Sequence, residues 1–62
     1  MNREDTKRQV QNLLDQKSYT EETLKQIVFD YAKMEGLIPV SKEFSMFENW
    51  RKIVREDLGI EI

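Results

Sequence analysis

Residues 45–59, SMFENWRKIVREDLG, decide the fold of this chain. Ser45 with Glu48 three residues later fits the capping box that opens many helices, and Gly59 is typical of the residue just past a helix end. The apolar side chains between them recur at the spacing of one helix face, which predicts a third helix ending at about residue 58. That face carries Met46, Phe47, Trp50, Ile53, Val54 and Leu58.

A second helix is predicted over residues 21–35. Thr20 is a suitable N-cap, the acidic Glu21 and Glu22 complement the positive end of the helix dipole, and Gly36 is a suitable left-handed residue at the other end. At about 100° per residue, one broad arc of this helix is apolar and predicted to face the core. The arc contains Leu24, Ile27, Val28, Tyr31, Ala32 and Met34.

The first helix is predicted over residues 3–17, with Asn2 as its N-cap. Its apolar stripe is thin, because it holds only Val10, Leu13 and Leu14. We therefore expect a weakly anchored helix whose first turns fray or are covered by a partner.

Two short extended segments complete the organisation. Pro39 keeps Leu37–Val40 out of a helix, and this segment is predicted to be a connector with buried side chains. The alternating tail Ile60–Ile62 is predicted either to pair with it as a minimal β pair or to fray. The chain is thus predicted to be one mainly α domain over residues 1–62. It is a small three-helix bundle with a core over residues 21–58 and helix-turn-helix-like second and third helices.

Composition restricts the chemistry open to this chain. It has 62 residues, 10 Lys and Arg against 12 Asp and Glu, and neither Cys nor His. A chain this short has no room for a deep substrate cavity beside its core, and without Cys and His it lacks thiolate, imidazole and zinc chemistry. We expect a non-enzymatic protein with no cofactor and no metal site. The apolar runs fall far short of the roughly 20 residues that span a bilayer, so a soluble, cytoplasmic protein is expected.

Two interaction surfaces are predicted. The first is a nucleic-acid-binding flank on the third helix, for which the candidates are Lys42, Arg51, Lys52 and Arg55. Its alternative is a solvated face of mixed charge, with pairing such as Glu48 to Lys52. The second surface is a protein interface, because a chain this small gains stability from a partner or from a second copy. Its candidates are Val10, Leu13, Leu14 and Phe29, the last being either packed inside the domain or an exposed anchor.

Residues 31–44, YAKMEGLIPVSKEF, followed by Asn49 and Trp50, resemble the homing-endonuclease-associated repeat. The matched positions are Gly36, Pro39, Ser41, Glu43, Phe44 and Trp50. The resemblance implies a small helical DNA-binding module of the kind found in phages and mobile elements. The expected function is a phage or prophage regulatory or accessory protein that binds DNA through its third helix. The alternative is an inhibitor or adaptor module, monomeric or homodimeric, that binds protein and no nucleic acid.

Overall fold

The computed structural model describes residues 2–62, which form a small bundle of three α-helices. The helices are α1 (Arg3–Gln16), α2 (Glu21–Met34) and α3 (Trp50–Glu56), and a one-turn 3-10 helix, Phe44–Met46, precedes α3. The central helix is α2, because it packs against both α1 and α3. The predicted mainly α fold is confirmed.

Local capping chemistry fixes the starts of α1 and α2 where the sequence predicted them. The side chain of Asn2 accepts a hydrogen bond from the N–H of Asp5 at 2.9 Å, and Thr20 accepts one from the N–H of Thr23 at 3.2 Å. Each bond satisfies one of the amide groups that a helix start leaves without a partner. After α1, Lys17 adopts a left-handed conformation with φ of 56° and stops the helix.

The end of α2 is a Schellman motif centred on Gly36. This residue has φ of 73°, its N–H donates to the carbonyl of Lys33, and the N–H of Leu37 donates to the carbonyl of Ala32 at 2.8 Å. A side chain at this position would be strained by the left-handed backbone, which explains why glycine stands here.

The third helix begins later than the sequence predicted. Ser45 does not open it, because the chain makes one 3-10 turn and then extends at Phe47, and α3 starts only at Trp50. In a 3-10 turn the side chains three residues apart lie above one another. This spacing brings both Phe44 and Phe47 onto Phe29, with ring centroids 5.4 and 5.5 Å away. Aromatic packing therefore overrides the capping box.

The predicted β pair is wrong. Within residues 2–62 no strand forms, so Leu37–Val40 and Ile60–Ile62 do not pair. Ile60 is buried instead, and its N–H donates to the carbonyl of Val54 at 3.1 Å, which folds the tail back across the end of α3. Burial of the Ile60 side chain and this backbone hydrogen bond stabilise the tail at the end of α3. The tail therefore does not form a strand.

Several apolar side chains predicted to be buried are exposed. Met34 is the last residue of α2, and Met46 lies on the 3-10 turn whose two phenylalanines already face the core. In the connector only Ile38 enters the core, whereas Leu37 and Val40 remain in solvent. The buried hydrophobic residues are Val10, Leu24, Val28, Phe29, Tyr31, Ala32, Ile38, Phe47, Trp50, Ile53, Val54, Leu58 and Ile60.

Arg3 joins the two ends of the chain. Its Nε donates to the backbone carbonyl of Asp57 at 2.8 Å, just past the end of α3. Carbonyls at a helix end lack partners within the helix, and the dipole there favours a cation. The first turn of α1 thereby caps the last helix.

The first prediction concerns neighbouring residues with opposite environments. Phe47 is fully buried whereas Met46 is 62% exposed. We expect Phe47→Ala to lower the free energy of unfolding by about 3 to 5 kcal/mol, since it leaves a cavity among aromatic rings. A domain of this size has roughly 3 to 9 kcal/mol in total, so the variant should lose a third or more of its stability. Met46→Ala should melt close to the wild type. Circular dichroism during urea unfolding measures both, and a wild-type midpoint for Phe47→Ala would contradict this packing.

The second prediction concerns the hydroxyl of Thr6, which is fully buried and has no hydrogen-bond partner within residues 2–62. Thr6→Val keeps the shape and removes a desolvated polar atom, so it should stabilise the domain by about 1 kcal/mol. Thr23→Val is the control, because Thr23 is exposed on α2 and its hydroxyl lies 2.9 Å from that of Thr20. Urea midpoints that fall in both variants would disprove the cost assigned to the buried hydroxyl.

Candidate nucleic-acid interface

The seven residues of α3 divide cleanly between core and solvent. Trp50, Ile53 and Val54 are buried. The exposed residues are Arg51, Lys52, Arg55 and Glu56. At about 3.6 residues per turn, the three cations fall within an arc of about 100°, with Glu56 at its edge. The structure thus brings three of the four predicted DNA-binding residues onto one face of α3, which is called the cationic face below.

The fourth candidate, Lys42, lies apart from α3. It is half-buried in the turn after the connector, where its N–H donates to the carbonyl of Pro39 at 3.0 Å. Of the alternative, a solvated face of mixed charge, the structure contradicts only the example pair, Glu48 with Lys52. Glu48 lies outside α3, and it forms no ion pair with Lys52 in the described chain.

Arg51 is held by two neighbours. Its guanidinium lies 4.5 Å from the centre of the Trp50 ring, and its Nη2 contacts Oε1 of Glu21 at the start of α2. Stacking uses the flat face of a guanidinium, whereas ion pairing uses its N–H edge, so one side chain makes both contacts. Sequence reasoning missed this ion pair, because its residues are far apart along the chain and only the packing of α2 on α3 brings them together.

A small crevice of about 100 Å³ opens beside this arginine. It lies where α1 ends, where α2 and α3 begin, and where the C-terminal tail passes. Tyr19 and Ile62 are on its wall, each 40% exposed, and Leu14 and Leu24 are also among its lining residues. The crevice is too small for more than a few atoms, so α3 itself offers the larger contact surface.

The residues predicted for a protein interface belong to the domain interior. Val10 and Phe29 are buried, and Leu13 and Leu14 are partly buried against the core. Phe29 is therefore packed, and the hypothesis of an exposed Phe29 anchor is wrong. The large apolar side chains that solvent reaches are Tyr19, Met34, Leu37, Val40, Met46 and Ile62.

Two lysines of α2 cover the aromatic cluster. Lys25 Nζ lies 4.5 Å from the centre of the Phe44 ring, and Lys33 Nζ lies 4.3 Å from that of Phe29. Each ammonium group lies over an aromatic ring at a distance that gives a cation–π attraction. Lys25 and Lys33 therefore contribute to the packing of the aromatic rings. Lys52 and Arg55 are instead exposed on α3.

Tyr31 is the buried titratable group next to the end of α3. Burial raises the pKa of its phenol above the usual 10.0, and the carboxylates of Glu35 and Asp57 raise it further, whereas Arg3 opposes the rise. The neutral phenol is therefore favoured in the folded state.

The raised pKa of Tyr31 gives a prediction at alkaline pH. Above about pH 10 the unfolded chain releases the phenolic proton while the folded chain retains it, so the free energy of unfolding should fall as pH rises towards the folded pKa. Tyr31→Phe removes this contribution, and its loss of stability with pH should be shallower. Urea midpoints between pH 8 and pH 11 test the difference, and parallel curves for the two proteins would show that Tyr31 contributes nothing.

Comparisons of this chain with protein-family models, curated proteins and solved structures give no match. The resemblance of residues 31–50 to the homing-endonuclease-associated repeat therefore stays a prediction. None of the helices in residues 2–62 combines the length and apolar character needed to cross a membrane.

Proposed function

We propose that this chain is a small non-enzymatic DNA-binding protein, a regulatory or accessory factor of the phage or prophage type, that lays the cationic face of α3 on duplex DNA. The observation that carries the proposal is the composition of this face. Three of the four exposed residues of α3 are cations, although the whole chain has a net charge of −2. Positive charge collected on one helix of an acidic protein favours an anionic ligand.

The dimensions of α3 suit a DNA groove. With its side chains an α-helix is about 10 to 12 Å across, which matches the width of the major groove of B-DNA at about 12 Å, and the seven residues of α3 extend about 10 Å along its axis. Lys52 and Arg55 form no ion pair with residues 2–62, so their charges are available to phosphates. The two arginines also have the forked donors that recognise guanine edges.

A salt titration tests this proposal. With three phosphate contacts, log K should fall with log salt at a slope of about −2.7, so that affinity drops roughly 40-fold between about 50 and 200 mM salt. Arg55→Gln should weaken binding and reduce the slope by about 0.9. Arg8→Gln is the control for total charge, because it removes the same charge from an exposed residue of α1, where Arg8 pairs with Asp5. Fluorescence anisotropy with a short labelled duplex measures these values.

The outcomes separate three explanations. No binding by the wild type at low salt would disprove the proposal. Equal losses in Arg55→Gln and Arg8→Gln would mean that total charge, and not the face of α3, attracts DNA. The proposal requires a loss confined to Arg55→Gln, with amide shifts in NMR centred on α3.

A protein-binding module is the second candidate, and one observation favours it. The segment from the end of α2 to the 3-10 turn exposes four apolar side chains, of which Val40 is 83% exposed. The four are Met34, Leu37, Val40 and Met46. Methionine is adaptable and common at surfaces that bind several partners. A protein-binding module of this kind would not bind DNA at any salt concentration. If its partner were a second copy of the chain, light scattering would report a dimer.

A further inference from the structure

We propose that Glu21 regulates the cationic face as an internal competitor for DNA, by occupying the edge of Arg51 that would otherwise bind a phosphate. The inference rests on the proposed function and adds its regulation. In this arrangement Lys52 and Arg55 are permanently available to DNA, whereas Arg51 joins them only when the carboxylate of Glu21 is displaced.

The pair has the exposure that exchange requires. Glu21 is the first residue of α2, and its side chain is 72% exposed, while that of Arg51 on α3 is 49% exposed. Water and a phosphate therefore reach both partners. A carboxylate and a phosphate use the same pairs of N–H donors on a guanidinium, so they compete directly.

Trp50 gives Arg51 a fixed platform during the exchange. The indole is 6% exposed and is anchored in the core, and the guanidinium lies over it at 4.5 Å. Because the contact with Trp50 does not involve Glu21, losing the carboxylate does not require Arg51 to leave the ring. The arginine is already ordered, so a phosphate that replaces the carboxylate meets a donor with little freedom left to lose.

The competition is expected to be mild. Exposed ion pairs are weak because water screens them, so a phosphate displaces Glu21 at a modest cost in affinity. Glu21 would thus lower the affinity of the cationic face for DNA without abolishing binding.

The test compares Glu21→Gln with Glu22→Gln. Both residues are exposed in the first turn of α2, and each substitution removes one negative charge beside the same helix dipole. Glu22 differs in having no ion-pair partner within residues 2–62. Anisotropy with the same labelled duplex gives affinities and salt slopes, and thermal melts verify that both variants are folded.

We expect Glu21→Gln to bind DNA about 1.5- to 5-fold more tightly than Glu22→Gln at low salt, the range that an exposed ion pair accounts for. Its salt slope should match that of Glu22→Gln, because in both variants Arg51 contacts one phosphate once the duplex is bound. In an Arg51→Gln background, the two glutamate substitutions should become equivalent.

The other outcomes of this experiment test the inference and the proposed function separately. Equal affinities for the two variants would mean that Glu21 affects DNA binding only through its negative charge. This result would overturn the inference and leave DNA binding intact. Weaker binding by Glu21→Gln would also overturn it, because Glu21 would then position Arg51 for DNA. No binding by the wild type or either variant would remove the proposed function and the inference together.

Discussion

The packing of two phenylalanines against a third is the contact on which the rest of this structure depends. Phe44 and Phe47 reach Phe29 only because the chain between them makes a tight 3-10 turn. That turn delays α3 until Trp50 and sets the rotation at which the helix meets α2. The same rotation points Ile53 and Val54 inwards and leaves the arginines and Lys52 in solvent. The cationic face thus lies opposite the side of α3 that packs on the core.

The central helix, α2, holds the bundle together. Because α2 contacts both other helices, its buried arc carries the largest share of the core, and the thin stripe of α1 needs support of other kinds. Arg3 supplies some of it by donating to the carbonyl of Asp57. In a chain that buries a modest part of its surface, such contacts between helix ends matter more than they would in a larger domain.

The sequence predicts helix boundaries that depend on hydrogen bonds between near neighbours. It does not predict contacts between residues that are far apart along the chain. Asn2, Thr20 and Gly36 were predicted as helix boundaries because each satisfies backbone groups within a few residues of itself. The capping box at Ser45 was misleading, since its preference is worth less than burial of aromatic rings. The clustering of cations on α3 followed from helical spacing. The pairing of Arg51 with Glu21 did not, because only the folded bundle brings these two helix starts together.

The shortness of α3 has a consequence for how this surface can change. A helix of seven residues is not stable in isolation, since even good helix formers need about 12 to 15 residues. The core side of α3 therefore supplies its stability, while Lys52 and Arg55 on the other side form no ion pair with the described chain. Substitutions on the solvent side are therefore expected to cost little in folding free energy. Under the proposed function, DNA preference could diversify among descendants of this chain while the bundle beneath it stays the same.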